Sequence, residues 1–150
     1  VIELDPNDGE AAPGRRVGCR TYLEQAGIPW STVHVAVGHG TARDGYAAAS
    51  RLLTDHPWLT GLVCGNDCMA MGAYAAIREQ GLRVREDVAV IGIDDQELIA
   101  DQVHPALTTV ALPFEEMGQV AVSHLLALME GEEVPAETLL PGRIIRRSSA

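Results

Sequence analysis

The chain has 150 residues, 47% hydrophobic and 21% charged, enough for one domain that buries roughly 70% of its unfolded surface. Eleven basic against 21 acidic residues give a formal net charge of -10, which argues against nucleic-acid or membrane-surface binding by this segment. No apolar run approaches the roughly 20 residues that span a bilayer, and no targeting motif appears.

Val1-Ile2-Glu3-Leu4 reads as a strand with nothing before it, so the chain is expected to be a fragment. Asp5 to Pro13 is a polar loop carrying Pro and Gly. A helix is expected from about Gly14 to Ala26, with Cys19, Tyr22, Leu23 and Ala26 on one face. Gly27 closes it and Pro29 enforces the stop. Val33 to Val37 alternates and is β-branched, giving a second strand that ends at Gly38-His39-Gly40. A helix follows from about Ala42 to Asp55, with Tyr46, Ala49 and Leu53 inward.

Gly61 to Cys64 forms the third strand. Asp67 is expected to cap a helix from Cys68 to Gln80, and Gly81 suits its C-terminal left-handed position. Val88 to Ile93 is almost wholly apolar, as a parallel strand covered on both faces requires. Leu107 to Val110 is a fifth strand, and Pro113 opens a helix to Glu130. Glu137 to Leu140 and Arg143 to Arg147 are weaker extended segments, expected to pair across Pro141-Gly142. The alternation specifies a doubly wound α/β parallel sheet, with helices on both faces.

The helix from Phe114 to Glu130 carries two apolar stripes. Phe114, Met117, Ala121, Leu125 and Leu128 form one; Val122, Leu126 and Met129 lie beside it. A helix packed on the outside of a sheet needs only one. Either the core-facing surface is wide, or the helix packs on a domain or subunit outside this chain.

Four positions fall on loops at the carboxyl edge of the sheet, where open α/β sheets bind ligands. Arg15 follows the first strand, His39 the second, Asn66 the third and Asp94 the fourth. They offer a rigid donor fork, an imidazole, an amide and a carboxylate, a set that suits a polyhydroxylated or otherwise polar small molecule. Each has a plainer reading. Asp94 or Asp95 serves equally as a cap for the next turn, and capping is favoured for Asp95. Asn66 suits a tight turn. Arg15 and Arg16 stand where solvated helix-start arginines occur, and an exposed loop histidine needs no explanation. His34, His56, His104 and His124 are expected to be structural or surface residues.

Catalytic patterns are weak. There is no Gly-x-Ser-x-Gly elbow, no Walker loop and no full Gly-x-Gly-x-x-Gly. Asp94-Asp95 suits a phosphatase-like metal site, but such a site normally needs a lysine, and all 11 basic residues are arginine. That also removes Schiff-base chemistry. Cys19, Cys64 and Cys68 read as reduced core thiols in a reducing compartment. No metal and no cofactor is expected.

Three stretches carry a family resemblance when taken together and in order: Cys64-Gly-Asn-Asp-Cys-Met-Ala-Met-Gly-Ala, Gly81 to Asp95, and Pro105-Ala-Leu-Thr-Thr-Val. Met117-Gly and the Arg146-Arg147-Ser148 ending add to them. The chain resembles the effector-binding core of LacI/GalR-type transcriptional regulators from about Arg15 onward. The resemblance implies a type I periplasmic-binding-protein-like fold, of which this chain is largely the C-terminal subdomain. Residues 1–112 and 132–150 would form that subdomain, and residues 113–131 would cross over to dock on an N-terminal subdomain. Arg15, Asn66 and Asp94 match effector-contacting positions. The aromatic that the family often places after the second strand is missing here, and His39 stands in that stretch.

The implied protein is a non-enzymatic, cytoplasmic homodimer that senses a sugar or nucleoside-like effector. It would bind operator DNA through an N-terminal helix-turn-helix and make no contact with membranes. A periplasmic sugar-binding component of a transporter shares the fold and is the alternative.

Overall fold

In the computed structural model, residues 1–7 and 11–150 are described; of Ala11, only the backbone is. Residues 8–10 of the loop expected from Asp5 to Pro13 lie outside this set. The elements in chain order are β1 (Ile2–Leu4), α1 (Ala11–Gln25), a 3-10 turn (Trp30–Thr32), β2 (Ala36–Gly38), α2 (Ala42–Asp55), β3 (Gly61–Val63), α3 (Asp67–Glu79), β4 (Ala89–Asp94), β5 (Thr108–Ala111), α4 (Phe114–Met129) and β6 (Arg143–Ile145).

β1 pairs in parallel with β2, and β3-β4-β5-β6 form a second ladder. An isolated parallel bridge, Ile2 to Cys64, joins the two ladders, and Gly65 N–H donates to Ile2 O at 2.7 Å. The strand order is therefore β2-β1-β3-β4-β5-β6, parallel except for β6, which runs antiparallel to β5. Successive crossovers lead outward from β1 on both sides, the arrangement of a doubly wound sheet.

α2 and α3 cover one face, and the core lies beneath them. Leu52, Leu53, Leu62, Cys64, Met69, Ala73, Ile77, Val88, Val90 and Leu107 are all buried there. α2 starts at a Thr41 cap, whose hydroxyl oxygen accepts from Asp44 N–H, and its inward stripe recurs at helical spacing. Among the described residues the opposite face carries only α1, beside β1 and β3, so Ala89, Ile91 and Ile93 are half-buried. The expected cover on both sides of the fourth strand is thus only partly met within this chain.

Other expectations shift for local reasons. α1 begins at Ala11 rather than Gly14, because Pro13 is tolerated in a first helical turn, where its missing N–H has no intrahelical partner. Its expected apolar face forms only in part: Cys19 and Leu23 are half-buried, but Tyr22 is 72% exposed. Tyr46 also points outward, with its hydroxyl donating to Glu79. β2 is confined to Ala36–Gly38, since β1 offers partners only for those residues. Residues 137–140 form no strand; Arg143–Ile145 pairs with β5 instead.

The C-terminal tail stitches the amino ends of β4 and β5. Val90 N–H donates to Ser149 O and Ser148 N–H to Ala106 O. The buried Ser149 hydroxyl donates to Val90 O at 2.6 Å and accepts from Thr108 N–H at 2.8 Å. α4 stands apart: none of its residues is buried, and both apolar stripes are exposed. The wide core-facing reading of this helix is therefore excluded within the chain. All three cysteines are free thiols, and burial raises the Cys64 thiol to about 12. No helix among the described residues is long and apolar enough to cross a membrane.

Candidate functional site

In a doubly wound sheet the crevice opens where neighbouring strands send their connections to opposite sides. Here that point lies between β1 and β3, and Arg15 reaches into it from α1. Its Nη1 donates to Gly65 O at 2.6 Å, and its Nη2 donates to Asp94 Oδ1 at 3.1 Å. The two side chains are 23% and 17% exposed, shielded enough to be ordered and open enough to be reached. One guanidinium thus joins the carboxyl ends of β3 and β4.

Asn66 is the cap of α3. Its Oδ1 accepts from Met69 N–H at 2.8 Å, and its Nδ2 donates to Gly40 O at 2.9 Å. The cap expected at Asp67 therefore falls one residue earlier, and the amide that caps α3 also ties the β2–α2 loop to the crevice. The bond to Gly40 O uses one of the two Nδ2 hydrogens. His39 lies on the same edge but exposed; its backbone N–H donates to Asp44 Oδ2, and it lines a separate hollow with Asp44 and Arg51. The structure brings Arg15, Asn66 and Asp94 around Gly65 and sets His39 to one side.

The loop that carries Asp94 is unusual. Asp94 and Asp95 both take positive φ, 113° and 55°, a region that L-residues enter at a cost of about 1–3 kcal/mol and that concentrates at functional sites. Asp94 Oδ2 accepts from Gln96 Nε2 at 3.3 Å. Asp95 does not cap a helix; it makes an ion contact with Arg147 at 2.8 Å, and Arg147 also meets Asp101.

Two acidic residues take buried roles that the sequence reading did not assign to them. Asp67 is fully buried, accepting from the Thr109 hydroxyl at 2.6 Å and from Gln96 N–H at 2.8 Å. Burial pushes its carboxyl above the usual range, opposed by those two hydrogen bonds. Glu3, also buried, pairs at 3.3 Å with Arg16, whose side chain stays 46% exposed as expected of a solvated helix-start arginine. The signal for Glu3 was a carboxylate inside a strand beside an arginine-bearing helix. Asp67 gave none, because its partner Thr109 is 42 positions away. Among the described residues no cluster of His, Cys, Asp and Glu is arranged to hold a metal.

The periplasmic binding protein-like domain family matches residues 2–150. This chain belongs to that family, in the form carried by LacI-type regulators. It is 37% identical over 139 residues to the HTH-type transcriptional repressor PurR of Yersinia pestis, covering 91% of this chain and 40% of the relative. The PurR of Photorhabdus laumondii is 38% identical over 137 residues, with the same coverage. Among solved structures, the lac repressor dimer bound to operator and the anti-inducer ONPF superposes with a TM-score of 0.89 at 34% identity, over 99% of this chain and 51% of that one. The regulator CelR in complex with cellobiose gives 0.89 at 32% identity, over 99% and 46%. The chain spans about two fifths of the length of the curated relatives it matches. The type I periplasmic-binding-protein-like fold expected from the resemblance is the one observed.

Proposed function

We propose that this chain is the effector-sensing part of a non-enzymatic, DNA-binding transcription regulator. The observation that carries the reading is the Arg15–Asp94 pair at the β1/β3 switch point, half-shielded and set on a strained loop. Arg15 spends two of its N–H groups on Gly65 and Asp94, leaving three. Each Asp94 oxygen accepts one hydrogen bond and keeps a further lone pair. Adjacent hydroxyls of a sugar or nucleoside match this ledger: they donate to the carboxylate and accept from the guanidinium and from Asn66. Lactose is bound by a LacI-family regulator of Arthrobacter that is 33% identical over 99% of this chain, and cellobiose by CelR.

Residues 1–112 and 132–150 act as one wall of the cleft. Residues 113–131, with Phe114, Met117, Val122, Leu125, Leu126, Leu128 and Met129 of α4 all exposed, dock on an N-terminal subdomain that supplies the other wall. DNA is contacted by a helix-turn-helix placed N-terminal to Val1, in keeping with the net charge of -10 on this chain. The protein works in the cytoplasm as a homodimer, and the effector biases operator affinity by binding one cleft state more tightly than the other. The relatives named above are regulators, which favours this reading over the transporter component.

The test is a thermal-shift screen of the intact protein against a panel of mono- and disaccharides and nucleosides. A binder present at 100 times its Kd stabilises by about 2.7 kcal/mol. A panel without any shift, alongside binding of a metal–phosphate substrate at Asp94, would replace the sensor with an enzyme.

A further inference from the structure

Asp94 and Asp95 hold left-handed backbone with no glycine to ease it, so something must fix the loop that presents Asp94. The groups that do so lie beneath it. Asp95 N–H donates to Thr109 Oγ1 at 3.4 Å, and the same hydroxyl donates to Asp67 Oδ1 at 2.6 Å. The other Asp67 oxygen accepts from Gln96 N–H at 2.8 Å. The two backbone N–H groups that follow Asp94 are thus held by one buried carboxylate–hydroxyl pair, from the first turn of α3 and the middle of β5. The Gln96 side chain then reaches back, accepting from Cys68 Sγ at 3.6 Å and donating to Asp94 Oδ2 at 3.3 Å.

Placing a carboxylate here is unfavourable for packing alone. Asp67 is 0% exposed and lies amid the apolar core, where a charged group is stabilised only by well-made hydrogen bonds. The sheet makes room for it: a Cβ on Gly92 would fall 2.1 Å from Asp67 Oδ1 and 2.9 Å from Leu107 Cδ2. A side chain there would push the carboxylate off its partners.

We propose that the buried Asp67–Thr109 pair is the positioning device of the effector site, clasping the backbone of Asp95 and Gln96 so that Asp94 faces Arg15. Asp67 and Thr109 touch no ligand; they act through the loop. Gln96 is the arm of the device, since it contacts both the clasp and the Asp94 carboxylate. The proposal rests on Asp94 being an effector contact, but its physical core is testable without any effector.

The experiment is hydrogen–deuterium exchange on the intact protein, paired with crystal structures of the same variants. Thr109→Val is close to isosteric and removes both the acceptor for Asp95 N–H and the donor to Asp67. Gly92→Ala displaces Asp67 without deleting a polar group, and Asp67→Asn keeps an acceptor for Gln96 N–H. In the first two, the 95–96 amides are expected to exchange roughly ten- to hundredfold faster, the equivalent of one or two lost hydrogen bonds. The Val90 and Ala70 amides, which a general loss of stability would expose too, should keep their wild-type rates. The crystal structures should show the Arg15–Asp94 contact broken in those two variants and kept in Asp67→Asn. Unchanged exchange at 95–96, equal acceleration at Val90 and Ala70, or an intact Arg15–Asp94 contact in both would overturn the proposal. Failure of the site reading shows elsewhere, as an Asp94→Ala protein that responds to the saccharide and nucleoside panel like wild type.

Discussion

Ser149 is the second-last residue of the chain and one of its most buried polar groups. Its hydroxyl bridges Thr108 N–H and Val90 O between two strands that have splayed beyond their shared ladder, which begins at Ile91 and Thr108. Ser149→Ala removes both bonds and leaves the buried Thr108 N–H and Val90 O without the hydroxyl that joins them. Two net hydrogen bonds of about 1 kcal/mol each, plus part of the penalty for the orphaned groups, give a loss of roughly 2–4 kcal/mol. For a chain of this size that lowers Tm by roughly 5–15 °C. Urea unfolding of the 150-residue chain should show the midpoint fall with an unchanged slope. A midpoint within error of wild type would refute the role of the tail as a stitch between β4 and β5.

Gly72→Ala places a Cβ 1.9 Å from Ala42 O and 2.6 Å from Tyr46 N; as both are helix backbone, α2 and α3 must separate, at a cost of about 3 kcal/mol by chemical denaturation. A neutral result would mean that the helices do not meet at that glycine. Asp67→Asn tests the buried charge. Because burial raises the Asp67 carboxyl in the folded state, its stabilising share is fully present below the unfolded value of about 3.9 and is lost as pH rises through the folded value. The variant should therefore gain Tm relative to wild type on going from pH 4 to pH 7, and a flat or falling difference would contradict the assignment. Replacing Leu126 and Met129 together with Gln should leave this chain's stability within about 0.5 kcal/mol, as they are 54% and 75% exposed. The same pair should lower the Tm of the intact protein, and equal effects in both would remove the docking role of α4.

How much of this was written in the sequence differs from feature to feature. Apolar periodicity gave the order of strands and helices, because strands buried beneath α2 and α3 must be apolar and the helices above them must be amphipathic. The placing of Asp94 at the crevice was legible because strand ends in such a sheet point there whatever the side chain, and Arg15 followed from its place in the helix after β1. The choice between Asn66 and Asp67 was not. Both residue types cap helices well, and the decision is made by Thr109, which draws Asp67 into the core and leaves Asn66 to cap. Tyr22 and Tyr46 misled for a different reason: a tyrosine fits an apolar stripe yet is content outside when its hydroxyl is solvated or bonded. The antiparallel β6 was misassigned because Arg143–Ile145 has an open edge of β5 to pair with, a long-range partner that outcompetes the local turn at Pro141-Gly142.

The most direct test of the account is calorimetric titration of the intact protein, wild type and Asp94→Ala, with whichever saccharide or nucleoside the thermal screen identifies. Losing even one charge-assisted hydrogen bond of about 1.5–3 kcal/mol predicts a Kd weakened roughly tenfold or more, with the folded state retained. An unchanged Kd would contradict the assignment of the β1/β3 crevice as the effector site.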